Sequence, residues 1–100
     1  GAMDAMDAAG ITYGVDGDVI IISFDATHDG LQYTLDGKIN CNVECNPLQA
    51  EFAAEVIQKL QAGEAIDAQT VVVDEAFVAP GIESQYATTM TQEVLDGRAY

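Results

Sequence analysis

One hundred residues, 49% of them apolar, make one globular domain at most, and a chain that short buries only about 60–65% of its unfolded surface. Seventeen acidic residues against three basic ones leave a formal charge of −14, and Lys38, Lys59 and Arg98 are too scattered to form a patch. That balance excludes nucleic acid, whose binding needs cations to displace phosphate counterions, and it disfavours an anionic membrane surface; the acidity reads as solubility through self-repulsion.

In chain order, Gly1-Ala2-Met3-Asp4 reads as a protease-cleavage scar, so residues 1–7 are expected to be scar and linker outside the fold. Glycines at 10, 14 and 17 mark a loop. Residues 19–24 form a nearly continuous β-branched apolar run, the signature of a parallel strand covered on both faces. This run, the longest apolar one, is far short of the ~18 residues of a membrane span. It stops at Asp25. Thr27 is a fair N-cap for a short helix to about 36, Leu31 and Leu35 give that helix an apolar stripe, and Gly37 suits its exit.

A second strand over 39–45 alternates, with Ile39, Cys41, Val43 and Cys45 on one face and Asn40, Asn42 and Glu44 on the other. Asn46 as N-cap, Pro47 at the first helical position and Gln49 two residues on predict a helix over 47–62. Leu48, Phe52, Val56 and Leu60 step by four along it, widened by Ala53 and Ile57, and Gly63 closes it. Residues 70–73 read as a third strand that can extend through Phe77 and Val78, Pro80-Gly81 breaks it, and a helix over 83–95 follows. Strand and helix alternate three times, which implies right-handed crossovers and a parallel sheet.

Both strand-to-helix junctions place polar residues beyond the carboxyl ends of strands, where open α/β sheets bind ligands. Asp25 stands out there, although a carboxylate at a helix start is also explained by the helix dipole. Asn46 is likewise explained as a cap. Asp25, Thr27, Asp29, Gly30 and Asp36 fall at positions 1, 3, 5, 6 and 12 of a calcium loop, but position 12 wants glutamate and a helix should come first, so an ordinary turn is the plainer reading. Cys41 and Cys45, four apart on one strand, lie about 13 Å from each other, beyond disulfide reach. With His28 and Glu44 they carry metal-ligand chemistry, but the histidine is on another element and small apolar fillers under a helix explain the thiols better. Asp74-Glu75 points to opposite faces of a strand. With no phosphate loop, nucleophile elbow or metalloprotease motif, no enzyme, metal or cofactor is expected.

Ser23-Phe24-Asp25-Ala26-Thr27, Asp29-Gly30, Asp36-Gly37-Lys38-Ile39-Asn40 and Val43-Glu44-Cys45-Asn46-Pro47-Leu48, in this order and spacing, resemble the carboxyl-terminal part of periplasmic sugar-binding proteins of ABC transporters, of the ribose/galactose type. The Glu-Cys-Asn-Pro-Leu run and the ending Leu95-Asp96-Gly97-Arg98-Ala99-Tyr100 most resemble the galactofuranose-binding branch, from which Gln49-Ala50-Glu51 departs. The resemblance implies an α/β three-layer sandwich with a parallel sheet, part of one lobe of a hinged type I periplasmic binding protein. Residues 8–79 would be the partial carboxyl-terminal lobe and residues 80–100 a hinge-crossing tail with a terminal helix. Asp25 would then hydrogen-bond sugar hydroxyls. Cys45 takes a position that often holds an amide; because a thiol bonds weakly, Glu44 or Asn46 would compensate.

The implied partners are a monosaccharide and an ABC permease. The implied location is extracytoplasmic, in the periplasm or as a lipoprotein on the outer face of the membrane. A fragment of such a clamp is expected to bind sugar weakly or not at all, and its exposed strand edges invite a homodimer or domain swap. Two other readings stay open: part of the effector-sensing domain of a LacI-type transcriptional regulator, which shares this fold, and an acidic α/β interaction domain without ligand.

Overall fold

The β-branched run pairs only over its second half. A computed structural model describes residues 1–66 and 74–100, with helix α1 at Ala2–Ala9, strand β1 at Ile22–Asp25, helix α2 at His28–Leu35, strand β2 at Cys41–Glu44, helix α3 at Ala50–Gln61, strands β3 at Ala76–Val78 and β4 at Thr88–Thr89, and helix α4 at Gln92–Asp96. The strand expected over 70–73 lies outside the described residues. The four strands form one sheet in the order β1-β2-β3-β4. β1 and β2 are parallel, as expected, with Ile22 opposite Cys41 and Asp25 opposite Glu44. β3 runs antiparallel to β2, and β4 parallel to β3. The fold is therefore mixed α/β with a mostly parallel sheet, and the one reversal lies between β2 and β3.

Local chemistry explains the elements that match the sequence. Thr27 caps α2, its hydroxyl accepting from the Gly30 N–H, and Gly37 leaves the helix at φ +76°. Gly14 is dictated by close approach: it sits at φ +88°, and a Cβ there would lie 2.2 Å from the Gly37 carbonyl oxygen, which accepts the Val15 N–H.

Three elements differ. Residues 1–7, expected to be linker, contribute most of α1, although none of its side chains is buried. α3 starts at Ala50 rather than 47, because Asn46 does not cap it; its side-chain oxygen accepts the Leu48 N–H in a tight turn instead. The helix expected over 83–95 is only the five-residue α4, capped by Thr91 and preceded by β4.

The core lies on one face of the sheet. Ala26, Leu31, Phe77, Met90 and Leu95 cluster there, flanked by Leu35 and Val94, so that α2 and α4 pack together over β2 and β3. The buried row of β2 is its polar one: Asn40, Asn42 and Glu44 are buried, whereas Cys41 and Val43 are half-buried and Cys45 is exposed. The cysteines are thus not fillers under a helix. α3 has no buried residue, and on this second face Ile22 and Phe24 are exposed whereas Val78, opposite Cys41, is buried.

Candidate functional site: the rim at the ends of the parallel strands

The carboxyl ends of β1 and β2 build a polar rim. Asp25 closes β1 and is exposed. It adopts φ +80°, and Ala26 follows at φ +42°. Two consecutive non-glycine residues in the left-handed region are uncommon, and each costs of order 1–3 kcal/mol unless its surroundings enforce it. Asn42 enforces this turn. Its side chain is wholly buried, and its Oδ1 accepts the Ala26 N–H at 3.2 Å, which turns the chain sharply as it leaves the strand. Its Nδ2 is buried without a hydrogen-bond partner, and lies where a Cβ on Gly30 would approach to 2.8 Å. Asn40 does the same work one pleat earlier, its Oδ1 accepting the Ile21 N–H at 2.8 Å.

Glu44 stands opposite Asp25 in the strand register but turns into the protein. It is 4% exposed. Its carboxylate accepts from the Arg98 guanidinium, the Tyr100 hydroxyl and the Glu75 backbone N–H. Arg98 lies 5.0 Å over the Phe77 ring and 4.8 Å over the Tyr100 ring, and its Nη1 is 3.7 Å from Glu75. Burial would push the Glu44 carboxyl up, but the Tyr100 and Arg98 hydrogen bonds, the Glu75 N–H and the Arg98 charge outweigh it and hold it below the usual carboxylate range. Burial and the Glu44 charge push the Tyr100 hydroxyl up. The cluster ties the last three residues of the chain to the end of β2.

Of the residues expected to face ligand, Asp25 and Cys45 are exposed at the rim. Asn46 is beside them but engaged twice: its N–H donates to Asp74 Oδ1 at 2.8 Å and its side-chain oxygen holds the Leu48 N–H. Glu44 is directed away from the rim surface by its three partners. Asp74 joins the rim through Asn46, and a shallow groove of about 320 Å³ runs from it along Glu75, Gln85, Tyr86 and Thr88. That volume is at the low end for small-molecule sites, roughly 300–1,000 Å³. Asn42 and Asp74 were not singled out from the sequence. An asparagine flanked by strand residues was the available signal for Asn42, whereas nothing local marks Asp74. His28 is an exposed residue of the first turn of α2, and among the described residues no group of three or more His, Cys, Asp or Glu side chains could hold a metal ion.

No protein-family model matches the chain. Over 79 residues it is 30% identical to a fructose import binding protein of Bifidobacterium longum, covering 79% of this chain and 23% of that protein. Two crystal structures from Mycobacterium smegmatis match at 45% identity over 77% of the chain, with TM-scores of 0.66 and 0.60, the second of them in complex with β-D-fucofuranose. The chain is thus similar to part of the sugar-binding proteins of ABC importers. It spans about a quarter of the length of each of these relatives. The mixed sheet, with helices packed on one face and polar strand ends, matches part of a periplasmic binding-protein fold.

Proposed function

We propose that this chain is the part of an extracytoplasmic receptor that presents one wall of a sugar site, serving an ABC importer whose permease the complete receptor engages. The observation that carries the reading is Asp25: an exposed carboxylate beyond the end of a parallel strand, held in a left-handed turn by a buried asparagine. A carboxylate there accepts two sugar hydroxyls at once, and hydrogen bonds to a charged group contribute about 1.5–3 kcal/mol each. Cys45 and Asn46 flank it, with Cys45 offering shape and a weak donor rather than an amide. Glu44 serves the site from behind, by anchoring the end of β2. Residues 80–100 act as the returning tail, and Arg98 and Tyr100 lock it to that strand end.

The furanose bound by one relative and the fructose import of another favour a monosaccharide that presents a five-membered ring. The opposite wall of a clamp would supply the rest of the affinity, so the 100-residue chain alone is expected to bind sugar weakly or not at all. Calorimetry of the full-length protein against matched furanose-forming and pyranose sugars tests the reading. Saturable binding of one of them is the expected result. Absence of heat with every sugar would overturn it and leave the acidic interaction domain as the better account.

A further inference from the structure

The exit from β1 gives up stability in more than one way at a single place. Asp25 and Ala26 are the non-glycine residues with positive φ among the described residues, in a region that residues with a Cβ avoid. A further cost lies beneath them. Asn42, on the middle strand opposite Ser23 of β1 and Phe77 of β3, is wholly buried, and its Nδ2 donates to nothing. Folding alone disfavours a desolvated donor without a partner.

These features meet in one hydrogen bond. Asn42 Oδ1 accepts the Ala26 N–H, the first backbone donor beyond Asp25. Asn40 supplies a comparison within the same strand. Its Oδ1 accepts the Ile21 N–H, yet Ile21 has no positive φ and Asn40 leaves no buried nitrogen unpartnered. Catching a backbone N–H of β1 therefore requires neither a left-handed turn nor an orphan donor. Those are confined to the asparagine behind Asp25. The amide is also held from its other side. A Cβ on Gly30 would lie 2.8 Å from Nδ2, so the first turn of α2, fixed by the Thr27 cap, lies directly against it.

We propose that Asn42 is a positioning residue for the sugar: it touches no ligand, and it raises affinity by fixing the direction of the Asp25 carboxylate before a sugar arrives. The proposal rests on the sugar reading of Asp25. Orientation set in advance removes an ordering cost that association otherwise carries. That is a use for the stability given up at this turn, and it runs from an observed backbone outlier to a role in binding.

Calorimetry of the full-length protein tests it, with the furanose-forming sugars D-fructose, D-fucose and D-galactose as probes and far-ultraviolet circular dichroism to confirm folding. Asn42→Ala is expected to weaken binding by about 3- to 10-fold. Added to Asp25→Ala it should change affinity by less than about 2-fold, because no carboxylate is left to orient. Asn42→Asp keeps an oxygen for the Ala26 N–H in either protonation state, and should retain affinity within about 2-fold. Asn42→Leu, close to asparagine in size, replaces the alanine variant if that one does not fold. Unchanged affinity in a folded Asn42→Ala or Asn42→Leu protein, where Asp25→Ala weakens binding, overturns this proposal and leaves the sugar reading standing. An equal loss with and without Asp25, or an Asn42→Asp protein as weak as Asn42→Ala, also overturns it. Absence of heat with all three sugars removes the sugar reading and this proposal with it.

Discussion

Replacing Arg98 by methionine isolates the anchor behind the rim, and its effect depends on pH in a way that can be worked out in advance. The Glu44 side chain is 1% exposed and that of Arg98 15%, so the substitution strands a buried carboxylate with only the Tyr100 hydroxyl and the Glu75 N–H as partners. Removing one member of a buried pair typically destabilises by about 3–5 kcal/mol. Here the loss has a ceiling, because the stranded group can take up a proton. With an ordinary carboxyl value of 4.5, neutralising Glu44 costs about 3.4 kcal/mol at pH 7 and about 0.7 kcal/mol at pH 5. The charge-dependent part of the R98M destabilisation is therefore expected near 3 kcal/mol at pH 7 and below 1 kcal/mol at pH 5. The lost stacking on Phe77 and Tyr100 adds a part that does not vary with pH.

The unaltered chain behaves in the opposite sense. Its Glu44 carboxyl is held below the ordinary value, so that contribution is complete above about pH 4.5 and is lost only as pH falls through the depressed value. Urea unfolding followed by far-ultraviolet circular dichroism, at pH 5, 6 and 7 and a fixed protein concentration, measures both curves; the chain has no tryptophan to follow. Adding Glu44→Gln to R98M should recover much of the loss at pH 7, because it removes the stranded charge. A destabilisation that is the same at pH 5 and pH 7, or no recovery in the double variant, would refute the reasoning.

Other expectations follow from the turn after β1. Asn42→Ala removes the acceptor of the Ala26 N–H and should destabilise by about 2 kcal/mol, read by urea unfolding, since it leaves a buried donor unpaired. At Asp25, whose φ is +80°, glycine should be neutral or stabilising by up to about 1 kcal/mol while valine destabilises by about 1–3 kcal/mol; thermal unfolding of the two variants gives the order. Gly30→Ala should destabilise despite the ~1 kcal/mol that alanine gains in a helix, because its Cβ would press on Asn42 Nδ2.

The parts of the fold that the sequence revealed are those specified by neighbours in the chain. The end of β1 at Asp25, the Thr27 cap and the Gly37 exit each depend on a few adjacent residues, and each is where the pattern put it. The burial of β2 was not legible. Alternation separates Asn40, Asn42 and Glu44 from Cys41 and Val43, but hydrophobicity gives no reason to bury the polar row more deeply. The asparagines are buried because the chain on either side of β1 needs acceptors at Ile21 and Ala26, and Glu44 because Arg98 reaches it from 54 residues away. The start of α3 moved because the Asn46 side chain holds the Leu48 N–H in a tight turn while its own N–H is tied to Asp74. At the rim, Asp25 could be singled out from its position after a strand; that Glu44 would face inward depended on contacts no local pattern encodes.

The most direct test of the account is the affinity of the full-length protein for its sugar with Asp25 replaced by alanine, measured by calorimetry beside an unfolding curve for the same variant. The loss of one or two charge-assisted hydrogen bonds should weaken binding by about 10-fold or more, with a change in stability too small to unfold the protein. Undiminished affinity in a folded D25A protein would contradict the assignment of this carboxylate to the sugar site.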